Sequence, residues 1–293
     1  MLSCGQKLFK DWGISQAACF SVEHFSEEIL LKWTESFAKP EYRNDIKKIR
    51  SSSVLMVISQ NCDIAARNDE SESCIELVIC KKIREKDLYP LNQFVRSTRL
   101  FQFSVNGSYY QASSEYILTI EKSQFISTLS FIKNFQLLPL EDQYINAVPL
   151  WRANRYSRIA LPDKFNEHLL PCLSSYGDNL TDISRIKDNP SLSYIRAIYI
   201  YLNTLEEASH YHFELFALMH HSTPDEILTQ TQNHIEELAS EIESKSGFKD
   251  ESELYADREN NTYVSYLTRF AKLNLDYISL SNQEEDVGPE LPC

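Results

Sequence analysis

Glycine is scarce, at 6 of 293 residues, and no Gly-rich loop follows a candidate strand. That excludes P-loop and dinucleotide folds, whose phosphate cradles need glycine for tight turns and close backbone approach. No CxxC pair occurs among the 7 cysteines, and their number is odd. Neither a zinc ribbon nor a disulfide framework is expected, and no structural metal; scattered reduced thiols suit a cytoplasmic protein. Long apolar runs are also missing: none approaches the ~20 residues that span a bilayer. "MLSCGQKLFKDWG" lacks the apolar core of a signal peptide, so no membrane partner is expected. Cations thin out along the chain. Residues 166–293 hold 8 Lys+Arg against 23 Asp+Glu, a net of −15, whereas residues 1–165 hold 21 against 19. A nucleic acid, if bound at all, therefore belongs on the first half, because phosphate binding rests on cationic surface.

What is present describes a folded α+β chain. Hydrophobic residues at 43% and aromatics at 12% supply a core, and the length suits one large domain or two ordinary ones. "HFSEEILLKWTESFAKP" has helical spacing, with Ser26 as N-cap, Phe25 and Leu30 as a hydrophobic staple and Pro40 as the stop. "SVLMVIS" and "CIELVIC" read as strands covered on both faces. Asn106-Gly107 marks a hairpin, and "EYILTIEK" adds a strand. Short strands and tight turns predict a small bent sheet or partial barrel in the first half.

Around residues 141–170 the pattern turns mostly helical, broken at Pro149 and Pro162. "YIRAIYIYL" and "YHFELFALM" predict a hairpin. The helix after it is expected to have Thr223 as N-cap, Pro224 at its first position, Glu226 in a capping box and Gly247 at its end. A last helix is expected through "TYVSYLTRFAKLNLDYISL". The predicted division is a mostly β domain over 1–150, an acidic α+β domain over 151–281 and a disordered acidic tail over 282–293.

In "VISQNCDIA" an amide, a thiol and a carboxylate directly follow an apolar strand, a place where folds put functional groups. Asn61 and Asp63 are also ordinary turn formers, and Cys62 has no recognisable histidine partner to activate it. Asp63 with Glu76 partly matches a metal-dependent nuclease, which would need a divalent ion. Such a site wants a lysine two residues beyond Glu76, since alternate strand residues share a face, and here the lysines are Lys81 and Lys82. His210 and His212 enter one strand and His220 and His221 leave it, so one strand cannot bring both pairs to one ion. Arg152, Arg155 and Arg158 form a helical stripe beside Trp151 and Tyr156, and Arg96 and Arg99 precede the hairpin. Arginine forks suit phosphate and neighbouring aromatics suit bases. The alternative is a solvated face, or pairing with the acidic half.

"VISQNCDIA", "RSTRL", "ILTIEKSQF", "LWRANRYSRIALPDKF" and "LNLDYISL" together resemble a bacterial family of unknown function. Its members carry Ser-Gln-x-Cys-Asp-Ile and Arg-Tyr-x-Arg…Pro-Asp-x-Phe motifs and tend to be encoded in phage-defence and mobile-element loci. Asn61 stands where Asp is more usual, and Ser97-Thr98 where Asn-Pro is common. The resemblance singles out Cys62, Asp63, Arg99, Arg155 and Arg158. It implies a cytoplasmic component of an anti-phage or toxin-like system, acting on nucleic acid or on a partner encoded nearby. The alternative function is a non-enzymatic adaptor whose acidic second half docks that partner.

Overall fold

The computed structural model describes residues 2–88, 99–156, 160–183, 186 and 194–273. The chain divides into two compact units, one of residues 2–88 and 99–153, the other of residues 154–273. The α+β class expected from the sequence is what forms, with a curled half-barrel sheet in the first half. No helix among the described residues is long and apolar enough to cross a membrane.

The first unit runs α1 (Cys4–Asp11), β1 (Cys19–Ser21), α2 (Glu27–Thr34), β2 (Val54–Val57), α3 (Asn61–Ile64), β3 (Cys74–Ile83), β4 (Leu100–Val105), β5 (Ser108–Glu121), α4 (Lys122–Phe131) and α5 (Asp142–Tyr156). Its antiparallel sheet has the order β1-β2-β3-β5-β4. All of β2 is buried, the outcome of a continuous "VLMV" run. Ser26 caps α2 as expected, accepting the Ile29 N–H at 3.4 Å. Asn106 and Gly107 take φ of 49° and 68° at the β4–β5 turn, the double positive value that a two-residue hairpin needs. Phe20, Trp33, Leu77, Leu118 and Phe125 fill the core between sheet and helices.

One irregularity shapes this sheet. Val78 pairs with Ile117 and Cys80 with Ala112, so Ser113, Ser114, Glu115 and Tyr116 stand opposite Ile79 alone. A bulge of this kind bends its strand and re-aims side chains.

The second unit holds α6 (Asp163–Ile183), β6 (Ile195–Leu202), β7 (Tyr211–Met219), α7 (Asp225–Glu243), β8 (Phe248–Asp250), β9 (Ala256–Arg258), α8 (Val264–Leu267) and β10 (Ala271–Leu273). The hairpin β6–β7 is the expected one, and β10 extends it on the β6 side. On the other side, β8 and β9 lie in turn along β7, both parallel to it. Thr231, Ile235, Leu238 and Ile242 turn from α7 into the core.

Three local expectations need correction. Helix α5 continues through Pro149; only one backbone donor is lost there, and Ala147, Val148 and Trp151 are buried around it. Helix α7 begins at Asp225 with Pro224 in the cap position, has no capping box at Glu226 and ends at Glu243, short of Gly247; the Thr223 hydroxyl donates instead to the His220 carbonyl at 2.6 Å. The last helix is a single turn followed by β10, which pairs with β6 and so overrides local helical spacing. The tail expected at 282–293 lies outside the described residues.

Candidate functional site

The polar step after β2 is a structural joint. Ile64 of α3 is fully buried, and Asn61 Oδ1 accepts the Gln16 N–H at 2.7 Å. Buried Lys122, at the start of α4, donates from Nζ to the Asp63 carbonyl at 2.6 Å and to the Glu72 carbonyl. Between those two carbonyls the chain carries Asp69, which accepts the Cys4 N–H at 2.7 Å and the Gly5 N–H at 3.1 Å. Against a burial penalty that acts the other way, these two donors hold the Asp69 carboxyl below its usual range. The Cys62 thiol is exposed and donates to Asp63 Oδ1 at 3.2 Å. That hydrogen bond, with smaller help from residual burial and the Asp63 charge, pushes the thiol pKa up, the opposite of what a nucleophile requires.

The nuclease pattern does not assemble around it. Glu76 Oε2 accepts from an Arg152 guanidinium nitrogen at 3.0 Å, so one ion pair occupies both a candidate catalytic acid and a candidate phosphate-binding arginine. Among the described residues neither Asp63 nor Glu76 joins a group of three metal-binding side chains. Trp151 is buried and stacks on Phe101 at 5.7 Å, which leaves it no face for a base. Arg155 and Tyr156 are exposed at the end of α5. Arg99 precedes β4, its carbonyl accepting the Ser114 N–H at 2.8 Å. Arg96 and Arg158 lie outside the described residues.

A different cationic patch forms around the β5 bulge. The bulge carries Glu115 and Tyr116 towards the segment that follows α2, which is pinned to β5 by an Ala38 N–H to Ile117 carbonyl bond of 3.0 Å. Glu115 pairs with Lys39 and accepts the Tyr42 hydroxyl at 3.2 Å. Tyr42 and Tyr116 stack at 5.2 Å. Lys48 Nζ stands 4.7 Å from the Tyr42 ring centre and Lys81 Nζ 3.9 Å from that of Tyr116. Lys48 also has Asp45 at 3.9 Å. Lys81 has no carboxylate in salt-bridge range among the described residues. Burial first, then the charges of Lys48 and Arg50, lower its ammonium from the ordinary 10.5 to about 8, with smaller opposing pulls from Glu115 and Asp45. The sequence signal for this patch is "YRNDIKKIR", which places Arg43, Lys47, Lys48 and Arg50 within one short stretch; it is less conspicuous than the regular spacing of the Arg152 stripe.

In the second unit, His220 and His221 directly follow β7, and β9 runs beside that strand so that Glu259 follows the Met219↔Arg258 pair. The Glu259 N–H bonds the Met219 carbonyl at 2.8 Å, which sets the carboxylate beside both imidazoles. One nitrogen of each ring and one Glu259 oxygen lie within 4.8 Å of one another. Burial raises the Glu259 carboxyl; the His221 hydrogen bonds and the charges of Arg196 and His220 outweigh it and set it below its usual value. Burial, with Arg196 and His221, depresses His220. His210 and His212 sit at the other end of the strand, where His212 Nδ1 is 2.7 Å from Glu251 Oε1. The missing partner of the second pair was a residue on a neighbouring parallel strand, which no local spacing reveals. No protein-family model, curated protein or solved structure matches this chain.

Proposed function

We propose that the first unit binds the phosphate backbone of a nucleic acid over the Lys81 patch, as part of a bacterial anti-phage or toxin-like system. The observation that carries this reading is Lys81 itself. It is a half-buried ammonium with two cations nearby and, among the described residues, no carboxylate close enough to pair with, a position made favourable by an arriving anion. Arg50 likewise makes no side-chain ion pair with a described residue. Tyr42 and Tyr116 support the lysine stems and contribute cation–π attraction; with Tyr116 buried, backbone contact rather than base stacking is the expected mode. The engagement of Glu76 by Arg152 and of Cys62 by Asp63 makes binding, rather than cleavage, the role these residues support.

The test is binding of a labelled oligonucleotide across a salt series. Affinity should fall steeply with salt. Arg50→Ala with Lys81→Met should weaken binding and flatten the slope by roughly 0.7–0.9 for each phosphate no longer neutralised. Wild-type affinity and slope in a folded double variant would sink the reading. A second reading, the adaptor, is favoured by one feature: Glu236, Glu237, Glu241 and Glu243 are all exposed on α7. A basic protein that co-purifies and is released by salt, with no oligonucleotide bound, would put it ahead.

A further inference from the structure

We infer that His220, His221 and Glu259 form a binding site for a divalent transition metal, zinc foremost, with a coordination position left open to solvent. Glu259 Oε1 lies 2.8 Å from His221 Nδ1 and 4.0 Å from His220 Nε2. Ligands at the usual ~2.0–2.2 Å from a tetrahedral zinc stand roughly 3.3–3.6 Å apart, so the two observed spacings straddle the required one. Small side-chain rotations close the site. The two rings already stand together, 4.0 Å between centres and 35° between planes.

The surroundings supply what such ligands need. Arg196 Nε is 3.4 Å from Glu259 Oε2, so it holds the oxygen that a monodentate carboxylate does not use. Ser222 Oγ is 2.6 Å from His220 Nδ1, and the Ser222 N–H donates to that same nitrogen at 3.1 Å; the ring therefore changes tautomer as Nε2 takes the metal, and Nδ1–H then donates to the hydroxyl, the outer contact that metal-bound imidazoles commonly make. The proton between His221 Nδ1 and Glu259 leaves for solvent as the ion arrives. Two imidazoles and one carboxylate suit zinc, cobalt or nickel and not magnesium or calcium, which prefer all-oxygen shells. Three protein ligands with His221 exposed leave a position for water, as in catalytic rather than structural sites. The acidic second half, at −15, attracts the cation.

The experiment titrates the full-length protein with Co²⁺ and then displaces it with Zn²⁺, following visible absorption and melting temperature. One Co²⁺ per chain with a tetrahedral spectrum is expected, together with a rise in melting temperature on adding zinc. His221→Ala and Glu259→Gln should each weaken binding at least ~10-fold, Ser222→Ala should weaken it about 10-fold, and His210→Ala with His212→Ala should change nothing. If Glu259→Gln disturbs the fold, the exposed His221→Ala decides alone. Equal cobalt affinity in wild type and His221→Ala, or loss of binding in the His210/His212 variant, overturns the site.

Discussion

Three residues of the first unit carry more than their size suggests. Gly5 packs so closely on α3 that an added Cβ would overlap the Ile64 carbonyl oxygen. Gly5→Ala should therefore lower stability by about 1–3 kcal/mol, seen as a lower urea midpoint. Lys122→Met keeps the buried stem and removes the donor to the Asp63 and Glu72 carbonyls. The Asp63 carbonyl keeps the Ala66 N–H at 3.4 Å, so the expected cost is about 1–3 kcal/mol for the Glu72 carbonyl left without its donor, by the same measurement. Lys81 acts through protonation. With a folded pKa of about 8 against an ordinary 10.5, the unfolded chain holds more protons between those values. Stability should thus rise with pH across that window, and Lys81→Met should lack this contribution; an identical pH profile in the variant would show that the lysine is not strained.

At the scale of elements, the legible parts were those whose cause is local. The Ser26 cap and the Asn106-Gly107 turn both follow from residues within a turn or two of one another. The β5 bulge, the continuation of α5 through Pro149 and the strand β10 depend on partners far along the chain, and no periodicity announces them. The candidate sites divide in the same way. Asp63 and Cys62 are conspicuous because they follow an apolar run, yet the groups that matter at that joint are main-chain carbonyls, which carry no residue signature. Glu259 was invisible until β9 lay against β7. Asp63→Asn is the direct check on the joint. Its side chain's hydrogen bond is to the exposed Cys62 thiol, so stability should change by less than about 0.5 kcal/mol and oligonucleotide affinity should hold. Loss of binding in a folded Asp63→Asn protein would return this residue to the functional list.

For the whole molecule, charge is divided along the chain. Cations concentrate where the first sheet bulges, while residues 166–293 hold 23 Asp+Glu against 8 Lys+Arg. The strand order of the second sheet has a consequence for behaviour in concentrated solution. On one side of the sheet the outer strands, β8 and β9, are three residues each, and they lie along β7 as two interrupted pieces. A short, broken margin offers little backbone for another chain to zip onto. Ordered self-association through this side of the sheet should therefore be slow even when the protein is crowded, whereas fusing β8 and β9 into one uninterrupted strand would create the kind of border on which fibrils start.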